Sequence, residues 1–249
     1  MDFFTLVIIG IINLIVVSLF ALSGGIGLVM RPLMIFFGVP PQITIGTSRV
    51  SGIPGGLIAQ LVLHKSKMID WKLVFILAPI NVLGGLLGIY IIVSLNDVLL
   101  KQIIGVLLIF AGLSFIFSKN IGLKKSRPRL GKFHYLVSGP IILVLGSFLV
   151  IVGGSGPLAK LLFIFGYGKT YIGAAGIHKA INFWQTIITT FFFIALLLVD
   201  WLLLLVLVIT SSIGTYVGTK FVLRKGERYL QVLLVLVIFA SAIKLIFFT

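Results

Sequence analysis

The chain has 249 residues, 60% of them hydrophobic and only 10% charged, with a mean hydropathy of +1.28. No soluble fold of this length covers so much apolar surface, so the class is polytopic membrane protein. Cysteine is absent, which excludes disulfides and thiolate chemistry, and the net charge of +15 sits in short inter-span loops, so no nucleic-acid partner is expected.

In chain order, apolar stretches run over 3–22, 28–38, 43–63, 72–94, 98–118, 135–152, 157–168, 172–197, 202–223 and 229–248. Most reach the ~20 residues that a membrane-spanning helix needs. The first carries no basic n-region at Met1-Asp2-Phe3-Phe4 and is expected as a mature helix rather than a signal peptide. The stretches 28–38 and 157–168 are short, and each follows a glycine cluster. At about 1.5 Å per residue they cover only about half of a hydrocarbon core. Each is therefore expected as a half-length helix beyond a break.

The second half of the chain repeats the first at an offset of 128 to 130 residues. Gly24-Gly25-Ile26-Gly27 returns as Gly153-Gly154-Ser155-Gly156, Arg31 as Lys160, and Phe37-Gly38 as Phe165-Gly166. Gly46 to Arg49 returns as Gly176 to Lys179, Asp70-Trp71 as Asp200-Trp201, and Gly84 to Gly88 as Gly214 to Gly218. Duplicated apolar units with glycine-interrupted segments are typical of secondary transporters.

Two topologies are open: eight spans in parallel halves, or broken segments that turn back as hairpins and leave the halves inverted. Charge decides between them. Apart from Arg31, Arg49, Lys160 and Lys179, sixteen Lys and Arg remain, and the hairpin topology places all but Lys101 and Lys244 on one face. The expected fold is therefore an all-α polytopic membrane protein of two inverted repeats. Each repeat has a glycine-broken helical hairpin plus three transmembrane helices. Residues 1–118 form the first repeat, 119–134 a basic cytoplasmic linker, and 135–249 the second repeat. The termini are expected outside the cytoplasmic membrane.

Candidate site residues gather at the breaks. Backbone N–H groups at Gly25, Gly27, Gly154, Ser155 and Gly156, with Pro157 opening a new helix, form an anion-receptive tip. Arg31, Lys160, Arg49 and Lys179 stand inside apolar sequence, where a charge normally faces a cavity or a partner. The five acids Asp2, Asp70, Asp97, Asp200 and Glu227 all fall at element ends or loops, so a mobile anion is the expected counter-ion. His178, Asn182 and Gln185 share one helical face, bordered by Lys179 and Thr186. Thr47, Ser48 and Ser51 occupy the corresponding stretch of the first half. Asp70-Trp71 and Asp200-Trp201 read as capped interfacial anchors, Gly84/Gly88 and Gly214/Gly218 as packing pairs, and His64 and His134 as loop residues. No metalloprotease, phosphate-loop or nucleophile-elbow motif occurs, so no enzyme, metal or cofactor is expected.

Several of these residues together resemble the TauE/SafE family of sulfite exporters. They are a glycine-rich break, Arg31-Pro32-Leu33, Phe37-Gly38-Val39-Pro40, Gly46-Thr47-Ser48, Asp70-Trp71 and Gly84-Gly85 to Gly88, with the scheme repeated in the second half. Ile177-His178 and Ser155 depart from the family pattern, which bears on substrate more than on fold. The resemblance implies export of sulfite or an organosulfonate such as sulfoacetate from the cytoplasm. The residues themselves imply only a small anion moved by alternating access, with sites on Arg49, Lys179, His178, Asn182, Ser48, Thr47, Gln185, Arg31 and Lys160 and at the glycine tips. Another small anion, a carboxylate or sulfate, is the alternative cargo, and a non-transporting membrane scaffold the alternative class. The expected partners are that anion and the lipid bilayer, and a homodimer is the assembly left open.

Overall fold

The computed structural model describes residues 3–20, 25–65, 69–117, 134–225 and 230–247. Gly24 of the first glycine cluster, Asp2, Glu227 and the basic linker from Lys119 to Lys132 lie outside the described residues. All regular structure within them is helical. That is one of the two ways a chain satisfies its backbone inside a bilayer.

The first half contains α1 (Phe3–Leu19), α2 (Ile26–Phe36), α3 (Pro41–Val50), α4 (Gly52–Lys65), α5 (Trp71–Ser94) and α6 (Asp97–Phe117). The second contains α7 (His134–Val152), α8 (Gly156–Leu161) running on as a π-helical turn (Leu162–Gly166), α9 (Tyr171–Ala195), α10 (Trp201–Lys225) and α11 (Leu230–Phe247). The stretches Trp71–Ser94, Asp97–Ser114 and Trp201–Gly218 are long and apolar enough to cross a membrane.

Local chemistry sets the ends. Asp70 caps α5 by accepting from the Leu73 N–H at 3.3 Å, and Asp200 accepts from Leu202 and Leu203 at 3.0 Å each as α10 begins. Thr170 caps α9 through Gly173 N–H at 3.2 Å. Gly38 closes α2 at φ +85°, a left-handed conformation that costs glycine little.

Two expectations need correction. The stretch 43–63, expected as one span, is two helices broken at Ser51. Pro54 has no N–H for the Val50 carbonyl, and Gly52, Gly55 and Gly56 favour helix poorly. The equivalent residues of α9, Asn182, Trp184, Gln185 and Thr186, carry no such defect, and α9 is continuous. His64 and His134 also lie within helices rather than loops: His64 is in the last turn of α4, and His134 opens α7. The exposed His64 Nδ1 accepts from the Trp71 indole at 3.2 Å.

Contacts between chain segments fix the hairpins. Near the start of α7, the Ser138 hydroxyl lies 2.6 Å from that of Tyr167, just past the π-turn. The chain therefore turns at the second glycine cluster and runs back beside α7. Lys169 brings the start of α5 to that same end through an ion pair with Asp70 at 2.6 Å. At the opposite end, Gln42 of α3 donates to the Ile92 and Leu95 carbonyls closing α5, at 3.1 Å each. Lys244 of α11 sits there too, 4.1 Å above the Phe36 ring that closes α2.

Two long seams join the halves. Along α1 and α10, Asn13 donates to Thr210 and Ser211 at 2.8 and 2.9 Å, and a Cβ on Gly214 would lie 2.9 Å from Val17. Along α5 and α7, Ser147 donates to the Gly84 carbonyl at 2.7 Å, and a Cβ on Gly88 would lie 3.0 Å from the Ser147 carbonyl. In each seam the residue numbers rise together, so the paired helices run in the same direction. Each half's first helix packs on the other half's helix bearing the Gly-xxx-Gly pair, a close-packed contact of small residues.

Candidate functional site

The two glycine breaks meet. A Cβ on Gly27 would lie 2.6 Å from the Gly153 Cα and 2.7 Å from its carbonyl oxygen, so the tips touch backbone to backbone. Gly153 adopts φ +82°, and a Cβ there would come within 2.9 Å of the Arg31 guanidinium carbon. Only glycine suits that position on both counts. Gly154 packs on Leu28, and Ser155 precedes α8, whose first residues are Gly156 and Pro157.

Beside the tips lies a cavity of about 150 Å³. Arg31, Ser48, Arg49, His178, Lys179 and Asn182 contribute to its wall, with Gly27 and Gly153. Among the described residues, no aspartate or glutamate lines it. Three cationic side chains thus border one enclosure with no carboxylate among them.

Each arginine is held by neutral oxygens. Arg31, 2% exposed, donates Nη1 to the Val150 carbonyl at 2.5 Å and Nε to the Ser48 hydroxyl at 3.1 Å. Val150 lies in the last turn of α7, where the helix dipole places partial negative charge, so a cation is favourable there. Arg49 donates Nη1 to Asn182 Oδ1 at 3.1 Å and Nη2 to Gln185 Oε1 at 2.5 Å. Its Nε is buried without a hydrogen-bond partner. Such a donor is expensive to leave without an acceptor.

The other candidates distribute around this pair. His178 Nε2 lies 3.3 Å from Ser155 Oγ, tying α9 to the start of α8. Gln185 does not line the cavity; it positions Arg49 and is itself fixed through Nε2 to the Asn81 and Gly146 carbonyls, at 2.6 and 3.1 Å. Thr47 lies apart, accepting from the Asp200 N–H at 2.9 Å. Lys160, 1% exposed, donates to the Tyr171 hydroxyl at 2.9 Å and lies 4.3 Å from that ring's centroid, away from the cavity wall. Gly25, Gly154, Ser155 and Gly156 are likewise behind the wall rather than in it.

Sequence reasoning missed one flank of the cavity, where Asn13, Ser211 and Thr215 face Gly55 and Gly56. The signal was present in Asn13, an amide in the middle of an otherwise apolar helix. No cluster of three or more His, Asp or Glu suited to a metal ion forms among the described residues.

Comparison with known proteins agrees in scale with this architecture. The family described as Sulfite exporter TauE/SafE matches residues 8–245. A Haemophilus influenzae protein named "Probable membrane transporter protein" is 25% identical over 229 residues, covering 91% of this chain and 89% of its own. "Probable membrane transporter protein ORF9" of a Sinorhizobium species is 26% identical over 227 residues, covering 91% and 86%. "Probable membrane transporter protein YfcA" of Escherichia coli K12 is 22% identical over 228 residues, covering 91% and 84%. No solved structure matches the chain.

Proposed function

The chain belongs to the TauE/SafE family of membrane transporters, and from that premise we propose that it exports a small anion, sulfite or an organosulfonate such as sulfoacetate, by alternating access. One observation carries this reading: Arg31, Arg49 and Lys179 line a cavity with no acid among its described residues, and the Arg49 Nε is left without an acceptor. A buried cation without a counter-charge is costly, and a bound anion removes that cost. The guanidinium fork suits two oxygens of a sulfonate, sulfite or carboxylate.

Inverted halves fit the same picture. Ser138 and Tyr167 fold the second hairpin back on its own end, and Gln42 and Lys169 sit at opposite ends of α5. The end bearing Lys169 and Asp70 is then the cytoplasmic one, which the positive-inside bias of the loops supports. Rocking of one half against the other would expose the tips to each side in turn. A membrane potential negative inside drives an anion outward by about 2.3 kcal/mol per charge per 100 mV, so uniport suffices.

The test is flux from proteoliposomes loaded with sulfite, sulfoacetate, lactate or sulfate. Sulfite or sulfoacetate should leave at rates that fall at least tenfold in Arg49→Ala and Lys179→Ala proteins that remain folded. Wild-type rates in both variants would overturn the reading. Preference for lactate or sulfate would reassign the cargo to the alternative anions. A pH gradient at fixed potential should leave the flux unchanged; a change would bring in proton coupling at His178.

A further inference from the structure

Repeat symmetry gives the walls of the cavity counterparts in the other half, and one pair is unequal. On one flank of the cavity α4 presents Gly55 to Thr215 and Ser211 of α10. At the repeat offset of 130 residues, their counterparts are Gln185 on α9 and Gly85 and Asn81 on α5. Across the first seam the bulk comes from Thr215, whose Oγ1 would lie 2.8 Å from a Cβ on Gly55; across the second it comes from the longer Gln185, set against Gly85.

Gln185 is 0% exposed. Its Nε2 holds the Asn81 and Gly146 carbonyls, and a Cβ on Gly85 or Gly146 would come within 2.7 or 3.0 Å of it. Both neighbours are glycines, which leaves the amide just enough room. Behind it Asn81, 4% exposed, keeps its Nδ2 buried without a hydrogen-bond partner. An amide donor in so dry a setting suits a space that is wet in another state.

We propose that α5, α7 and α9 enclose a second polar chamber, the equivalent of that flank, with Gln185 as its removable plug and a small oxyanion on Arg49 as the trigger that loosens it. The purpose of the chamber rests on the transporter reading, while its existence rests on packing alone. Gln185 Oε1 occupies Arg49 Nη2, and the adjacent Nε is empty. Those two donors share one edge of the guanidinium fork; Nη2 carries a second proton on the other edge, so an anion seated bidentately on the first displaces the Gln185 oxygen from that edge and weakens its hold. Binding from the cavity thereby loosens the plug of the chamber.

The chain has no cysteine, so single thiols can report access directly. Asn81→Cys and Ser211→Cys are each introduced, and their reaction with a membrane-impermeant maleimide is timed in proteoliposomes. With Gln185 in place, the thiol at position 211 should react and that at position 81 should be at least tenfold slower. Gln185→Ala should raise labelling at position 81 about tenfold, whereas Gln185→Met, which refills the space, should not. Unchanged labelling at position 211 reports that the variant is folded; where Gln185→Ala is not, Gln185→Ser makes the same test. Equal labelling of both thiols with Gln185 present, or slow labelling at 81 in folded Gln185→Ala, overturns the chamber. Sulfoacetate should accelerate labelling at 81 in the protein that retains Gln185. Failure of that effect alone rejects the trigger. If sulfoacetate is also not transported, the functional reading has failed instead, and the chamber stands on the Gln185→Ala result.

Discussion

At the scale of the residue, the proposed anion site rests on guanidinium geometry rather than on charge alone. Arg49 holds Asn182 and Gln185 with two nitrogens and keeps a third on offer. A lysine at this position retains the charge but cannot present that fork. Hydrogen bonds to charged groups contribute about 1.5–3 kcal/mol each, so Arg49→Lys should weaken anion binding by about ten- to a hundredfold. Titration calorimetry with sulfoacetate reads this directly, and unchanged affinity would show that charge suffices. Two left-handed glycines make a second comparison. Gly38 has open space around its missing Cβ, so Gly38→Ala should cost only the backbone strain of about 1–2 kcal/mol. Gly153→Ala adds a collision with Arg31 and with the Gly27 backbone to that strain. It should lower the melting temperature in detergent further than Gly38→Ala and also reduce flux.

At the scale of the element, the seams and the broken helix matter most. Gly84 of α5 faces backbone, since a Cβ there would strike the Leu143 carbonyl, whereas Gly214 of α10 faces the Val17 side chain first. The overlap at Gly84 is deeper and falls on a helix carbonyl, while a Cβ on Gly214 would sit 2.9 Å from the Val17 Cβ, which a smaller shift of the helices relieves. Gly84→Ala should therefore destabilise more than Gly214→Ala, and thermal unfolding of the two in one detergent gives the order. The break between α3 and α4 sets Arg49 in the last turn of a helix, while its counterpart Lys179 stands within continuous α9. The two positions match at the sequence offset of 130 residues, and Pro54 and the glycines around it make them unlike.

At the scale of the whole molecule, contacts between the halves decide what the protein can do. The Lys169–Asp70 pair ties the second hairpin to α5 at one end. Partial burial pushes the Asp70 carboxyl up, but hydrogen bonds from Lys169 and Leu73 outweigh that and hold it below the usual carboxylate range. A depressed carboxylate stabilises the fold fully above its unfolded value of about 3.9 and loses that contribution as pH falls through the lower folded value. With about a third of each side chain exposed, the pair contributes under about 1 kcal/mol. Asp70→Asn should therefore narrow the stability difference from wild type as the solution is acidified below pH 4, which unfolding at a series of pH values would follow.

Much of the fold was legible because a bilayer imposes strong rules on sequence. Long apolar runs, glycine clusters and Asp-Trp anchors marked the helices, and repetition at a fixed offset paired them. The buried cations were legible because charge inside apolar sequence is rare enough to need a reason. Partner choice was not legible. Thr47 shares its neighbourhood in sequence with Ser48 and Arg49, yet it bonds the start of α10 outside the cavity. Lys160 matches Arg31 in the repeat, yet it bonds Tyr171 while Arg31 caps α7. Such assignments depend on which helices touch, and adjacency along the chain carries little of that information.

Composition and repetition by themselves determined the membrane class, the helical content, the paired breaks and the presence of cations inside apolar sequence. Each follows from solvation, since lipid tolerates neither open backbone nor unpaired charge. Tertiary structure alone decided that Gly27 and Gly153 meet, that Arg49 leans on Gln185, and that Asn13 and Ser211 border the site. Those contacts join residues more than a hundred positions apart, and their geometry is set by close packing across the two halves.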